Sequence, residues 1–141
     1  MKNLFILSFV LLASLGADAA KVDVKSPDGK LVVSISDDGG KPEYEVNYGG
    51  TAMLGRSALG LKTDVADFTS GLTIVDSEES KIDKKYDITR TKTSSVHYVA
   101  NRLDVVFRKE DGKKIKVTFC VSDNDLAYRY TLLPIEGSDC R

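Results

Sequence analysis

The chain has 141 residues, 20 basic and 21 acidic side chains, a net charge of −1, no tryptophan and two cysteines. A near-balanced charge with no basic block excludes nucleic-acid binding, which needs a clustered positive face. Two cysteines and one distant histidine exclude a structural zinc site, which needs about four ligands, and a mature chain of this length makes one domain with an adequate core.

The first segment reads as a targeting signal rather than structure. Met1-Lys2-Asn3 is short and positive, Leu4 to Leu15 is mainly apolar, and Ala17-Asp18-Ala19 is a small-x-small cleavage site. This is the pattern of a secretory signal peptide over residues 1–19, and the apolar run is too short to span a bilayer. Cleavage would leave Ala20–Arg141 as one exported domain, periplasmic or extracellular, with no membrane attachment. Export makes a disulfide between Cys120 and Cys140 possible. A Cys120 that behaves as a small apolar residue is an equal alternative.

The mature chain begins as a meander. Val22 to Lys25 leads into Ser26-Pro27-Asp28-Gly29, a turn with Pro and Gly placed for their dihedrals. Leu31, Val33 and Ile35 alternate with Val32, Ser34 and Ser36, which predicts a strand. Asp37-Asp38-Gly39-Gly40 turns the chain. Tyr44, Val46 and Tyr48 alternate with polar residues in a second strand, and Gly49-Gly50 turns it into a short third strand over Thr51–Leu54. Ser57 to Lys62 is apolar and interrupted by Gly60, which suits a strand with a close backbone approach at that glycine. Asp64 to Gly71 is loop-like. The polar run Asp76 to Lys85 reads as a solvated strand edge or loop, and threonine-rich Tyr86 to Ser95 suits a pleated surface.

The last third is the most regular. Val96–Ala100 and Leu103–Phe107 read as strands, and Glu110-Asp111-Gly112 as a hairpin turn. Ile115, Val117, Phe119 and Val121 alternate with Lys116, Thr118, Cys120 and Ser122; after Asp123-Asn124-Asp125 the alternation resumes with Leu126, Tyr128, Tyr130 and Leu132 against Ala127, Arg129 and Thr131. Two period-two runs joined by an Asx-rich turn make an antiparallel hairpin. At least seven short strands with no helix predict an all-β, antiparallel sandwich. A further strand is expected to return after Gly137, so the domain reads as truncated at its C-terminus.

No catalytic constellation emerges. The acids are too many to single out a glycosidase pair, and Asp123 and Asp125 are better read as turn formers than as the start of a calcium loop, since no Gly and Glu follow at the required offsets. His97 stands far from any nucleophile motif, which argues against a Ser-His-Asp arrangement. Tyr128, Arg129 and Tyr130 are the structural or interface candidates: Arg129 points opposite to both tyrosines and can pair with an acid, stack on a ring, or face a partner domain.

Four pieces occur in a telling order: Ser26-Pro27-Asp28-Gly29-Lys30-Leu31, Pro42-Glu43-Tyr44-Glu45-Val46, Arg56-Ser57-Ala58-Leu59-Gly60-Leu61, and Asp123-Asn124-Asp125-Leu126-Ala127-Tyr128-Arg129-Tyr130. Together they resemble the N-terminal domain of glycoside hydrolase family 97, secreted enzymes that include α-glucosidases and α-galactosidases. Where that family more often carries Gly and Val or Ile before its Ala-Phe/Tyr-Arg-Tyr element, this chain has Asp125 and Leu126. The resemblance implies a galactose-mutarotase-like super-sandwich packed on a (β/α)₈ barrel, with the catalytic acids and a calcium ion in the barrel. Neither can be carried over to a position here, because the chain ends before such a barrel begins. The expected function is therefore the N-terminal portion of an exported hydrolase of α-linked glucosides or galactosides. The alternative is a stand-alone secreted sandwich that binds glycans or a protein.

Overall fold

The computed structural model describes residues 20–88 and 95–134. The expected signal peptide, the centre of the threonine-rich stretch, Cys140 and the strand expected after Gly137 lie outside these residues. Among the described residues eight strands form two four-stranded antiparallel sheets. The first holds β1 (Lys21–Lys25), β2 (Leu31–Ser36), β3 (Glu43–Tyr48) and β4 (Thr51–Ala58) in that order. The second holds β5 (Leu72–Asp87), β6 (Ser95–Lys109), β7 (Lys114–Val121) and β8 (Leu126–Leu132). Among the described residues the sole helical element is a 3-10 turn, Asp38–Gly40.

Alternation decides which face goes inward. In the first sheet Val24, Val33 and Val46 stand opposite one another, as do Val22, Ile35 and Tyr44. In the second, Val105, Val117 and Tyr130 form one cross-strand row, and Leu103, Phe119 and Tyr128 the next. These rows face each other, and Val24, Val33, Ile35, Leu103, Val105, Phe107, Val117, Phe119 and Val121 form the dry centre. Burial of such apolar area is the main stabilising term, about 25 cal/mol per Å².

The expected strands differ from the observed ones in four places, the first being Ser57–Lys62, where only Ser57 and Ala58 belong to a strand and Leu59 onward is loop with an isolated bridge from Lys62 to Asp67. The third strand continues to Ala58 rather than stopping at Leu54, across a register irregularity opposite Tyr44–Asn47. The two strands expected over Val96–Ala100 and Leu103–Phe107 are one, β6, because Asn101 and Arg102 stay in the ladder opposite Val121 and Cys120. The polar run Asp76–Lys85 belongs to β5, an edge strand of 16 residues that spans roughly 50 Å at the usual rise per residue. Its inward positions Ser77, Glu79 and Lys81 are polar and exposed because the first sheet does not extend over them. A charged, solvated edge of this kind discourages strand addition.

Two clasps tie the sheets together. The buried Asp37 carboxylate, at the end of β2, accepts from the backbone N–H of Ala20 at 2.8 Å and of Ile74 at 2.8 Å. The loop between β4 and β5 drives Leu59 and Phe68 into the core. Gly60 makes the close approach expected of it: its φ is +147°, and a Cβ there would lie 2.9 Å from the Phe68 carbonyl oxygen.

Candidate functional site

The β7–β8 hairpin carries the residues singled out by the sequence. Its turn is built locally: Ser122 N–H donates to the Asp125 carbonyl at 3.0 Å, and Asp125 N–H donates back to Ser122 Oγ at 3.1 Å. Asp123 turns outward, and its carboxylate accepts from Asp28 N–H at 2.8 Å, joining the β1–β2 turn to the β7–β8 turn. Both aspartates therefore serve as turn formers. Asp28 is itself committed: hydrogen bonds from the Ser26 hydroxyl and Lys30 N–H hold its carboxyl down at about 2.

Tyr128 and Tyr130 lie on the inward face and Arg129 on the outward one, as the period-two pattern requires. Tyr44, Phe119 and Tyr128 pack as tilted rings with centroids 5.6–6.2 Å apart. Tyr130 meets Tyr128 edge-on at 5.8 Å and 81°, geometries that favour aromatic pairs. Tyr130 is structural: its hydroxyl accepts from Gly60 N–H at 3.0 Å, and burial pushes its phenol up despite that bond. Tyr128 remains 43% exposed because, among the described residues, no strand covers the open side of β8.

Arg129 stands at one rim of a depression of about 280 Å³ on the outward face of the second sheet, lined by Ile82, Arg102, Thr118, Cys120, Ala127, Tyr128 and Arg129. Register explains the dip. Cys120 lies between Arg102 and Ala127, and Thr118 between Asp104 and Arg129, so the small side chains of Thr118, Cys120 and Ala127 sit below the long ones of Arg102 on β6 and Arg129 on β8. Arg102 forks onto Asp104, Nε to Oδ1 at 3.1 Å and Nη2 to Oδ2 at 2.6 Å. Lys116 Nζ lies 3.8 Å from the same carboxylate. Burial pushes Asp104 up, but Arg102, Thr118 and Lys116 together outweigh it and hold the carboxyl below its usual range. Of these lining residues the sequence singled out Tyr128 and Arg129. Arg102, Asp104 and Thr118 were silent because only strand register brings them to one spot.

Other chemistry is sparse. His97 Nε2 lies 2.7 Å from Asp83 Oδ1 on the solvated β5–β6 hairpin, with no hydroxyl or thiol hydrogen-bonded to the pair among the described residues. Among the described residues no group of three or more His, Cys, Asp or Glu could hold a metal. Cys120 is half-buried on β7.

Comparison with known proteins places this geometry. The profile of the glycosyl-hydrolase 97 N-terminal family matches residues 24–138. A probable retaining alpha-galactosidase of Streptomyces bingchenggensis (strain BCW-1) is 31% identical over 88 residues, 62% of this chain and 14% of that protein. The crystal structure of a beta-arabinopyranosidase superposes with a TM-score of 0.79 at 45% identity, over 82% of this chain and 19% of that one. A glycoside hydrolase family 97 enzyme from Pseudoalteromonas sp. strain K8, seen in complex with panose and with acarbose, superposes at 0.76 with 24% identity over 82% of this chain and 18% of its own. That last likeness speaks for the fold. This chain thus spans less than a fifth of the relatives it matches. The chain belongs to the glycosyl-hydrolase 97 N-terminal family.

Proposed function

We propose that this chain is the N-terminal sandwich portion of an exported glycoside hydrolase that acts on α-linked glucosides or galactosides. The sandwich supports a catalytic (β/α)₈ barrel rather than performing the chemistry itself. The observation that carries this reading is the family match across residues 24–138. The positive start, apolar run and Ala17-Asp18-Ala19 site support export to the periplasm or the outside. Calcium belongs to the barrel in this reading, and no residue described here is assigned to it.

The related alpha-galactosidase and beta-arabinopyranosidase narrow the substrates worth testing. A β-L-arabinopyranoside shares its ring stereochemistry with an α-D-galactoside and lacks only the exocyclic hydroxymethyl group. The test is to assay the longest natural product of this reading frame, beside the 141-residue chain, on nitrophenyl α-glucoside, α-galactoside and β-L-arabinopyranoside. The longer product should hydrolyse one of these, and the shorter chain none. A longest product inactive on all three, or a short chain that alone binds glycans tightly, would defeat the proposal.

A further inference from the structure

The outward depression on the second sheet presents donors without acceptors. Thr118 is 3% exposed, and its Oγ1 is buried with no hydrogen-bond partner of good geometry among the described residues, although Asp104 is near enough to feel the hydroxyl. Asp104 occupies Nε and Nη2 of Arg102, which leaves Nη1 unused among the described residues. Arg129 is exposed and makes no ion pair among the described residues, and it stands directly opposite Thr118 in the ladder. β6 and β8 are two ladder spacings apart, roughly 10 Å, so Arg102 and Arg129 flank the floor of Thr118, Cys120 and Ala127 from both sides. Arg102, Lys116 and Arg129 outnumber Asp104 even when Glu78, its neighbour on β5, is counted with it. A buried donor with no acceptor is destabilising, and guanidinium groups bind planar oxyanions in a fork.

We propose that this depression binds a carboxylate group, seated between the guanidinium groups of Arg102 and Arg129 with one oxygen toward Thr118 Oγ1. Ile82 forms an apolar wall against the carbon skeleton that bears the carboxylate. Two sources fit this chemistry, a sugar acid and a glutamate or aspartate side chain of a polypeptide packed on this face. The inference stands on strand register and side-chain geometry, independently of the glycosidase reading.

The test follows the arginine Nε–H and backbone amide signals of the full 141-residue chain by NMR during titration with acetate, glucuronate and an N-acetylglutamate amide. Sodium chloride at equal ionic strength and glucose are the controls. Saturable shifts at Arg102, Thr118 and Arg129 are expected, with dissociation constants on the order of 1–10 mM. Arg129→Gln should weaken binding about tenfold or more, the loss expected for one charge-assisted hydrogen bond. Thr118→Val should also weaken binding, while Asp104 keeps its two bonds from Arg102 in that variant. Tighter binding of glucuronate assigns the site to a sugar acid, and tighter binding of the glutamate derivative assigns it to a protein segment. Shifts that do not saturate, that chloride or glucose reproduces, or that survive Arg129→Gln unchanged overturn the proposal.

Discussion

Replacing Gly60 by alanine tests how the two sheets are closed. The backbone at Gly60 has φ of +147°, and an added Cβ would lie 2.9 Å from the Phe68 carbonyl oxygen, 3.0 Å from Thr69 Cα and 3.2 Å from Thr69 Cγ2. Two of these three atoms are backbone, and Phe68 is locked in place by its buried ring and by its N–H bond to the Leu61 carbonyl at 2.9 Å. Relief would have to move the loop or break the Gly60 N–H bond to Tyr130. A non-glycine residue at such a φ costs about 1–3 kcal/mol, and forced overpacking costs about as much again. The stiffer unfolded chain of the alanine variant returns about 0.4–1 kcal/mol. The net loss is therefore about 3 kcal/mol, or roughly 10 °C in melting temperature for a domain of this size. Urea unfolding followed by tyrosine fluorescence, unobscured since tryptophan is absent, measures it. Gly55→Ala is the internal control, because nothing lies within 4 Å of a Cβ there and its φ is negative or extended. A Gly60→Ala loss below about 1 kcal/mol, or equal losses at both positions, would refute the close-approach argument.

Three other outcomes follow from the same packing. Asp37→Ala strands two backbone donors, of Ala20 and Ile74, and should cost about 2–4 kcal/mol in the same unfolding assay; amide exchange at Ile74 should accelerate with it. Phe119→Ala, at the buried centre, should cost about 3–5 kcal/mol, whereas Val99→Ala on the exposed β6 extension should stay within about 0.5 kcal/mol. Asp28 and Asp67 are both lowered from 3.8 to about 2, chiefly by hydrogen bonds from Ser26 and Thr69 respectively. A depressed folded-state value means that their contribution is present above 3.8 and is lost as pH falls toward 2. Melting temperature should thus drop across that window, and the Asp28→Asn, Asp67→Asn double variant should flatten the drop.

The relation between sequence and structure is clearest in β7 and β8. Alternation alone located the hairpin, its Asx turn, the inward set Ile115, Val117, Phe119 and Val121, and the opposite facing of Arg129 and Tyr128, since strand side chains have a period of two. β2 and β3 were found with their full bounds for the same reason. The ordered motifs from Ser26 to Tyr130 also carried the family resemblance. The long β5 was harder, because a solvated edge strand has no apolar face to announce it: its inward positions Ser77, Glu79 and Lys81 meet water rather than a second sheet.

By itself the sequence determined the all-β class, most strand positions and which way each strand faces, because these depend on neighbours one or two residues apart. Tertiary structure alone decided what lies beside what. The placing of Asp37 on Ile74 N–H, of Gly60 beneath the Tyr130 hydroxyl, and of Arg102 and Arg129 on either side of Thr118 rests on strand register and sheet stacking. Those are long-range properties, set by how two apolar faces interlock, and no local pattern along the chain encodes them.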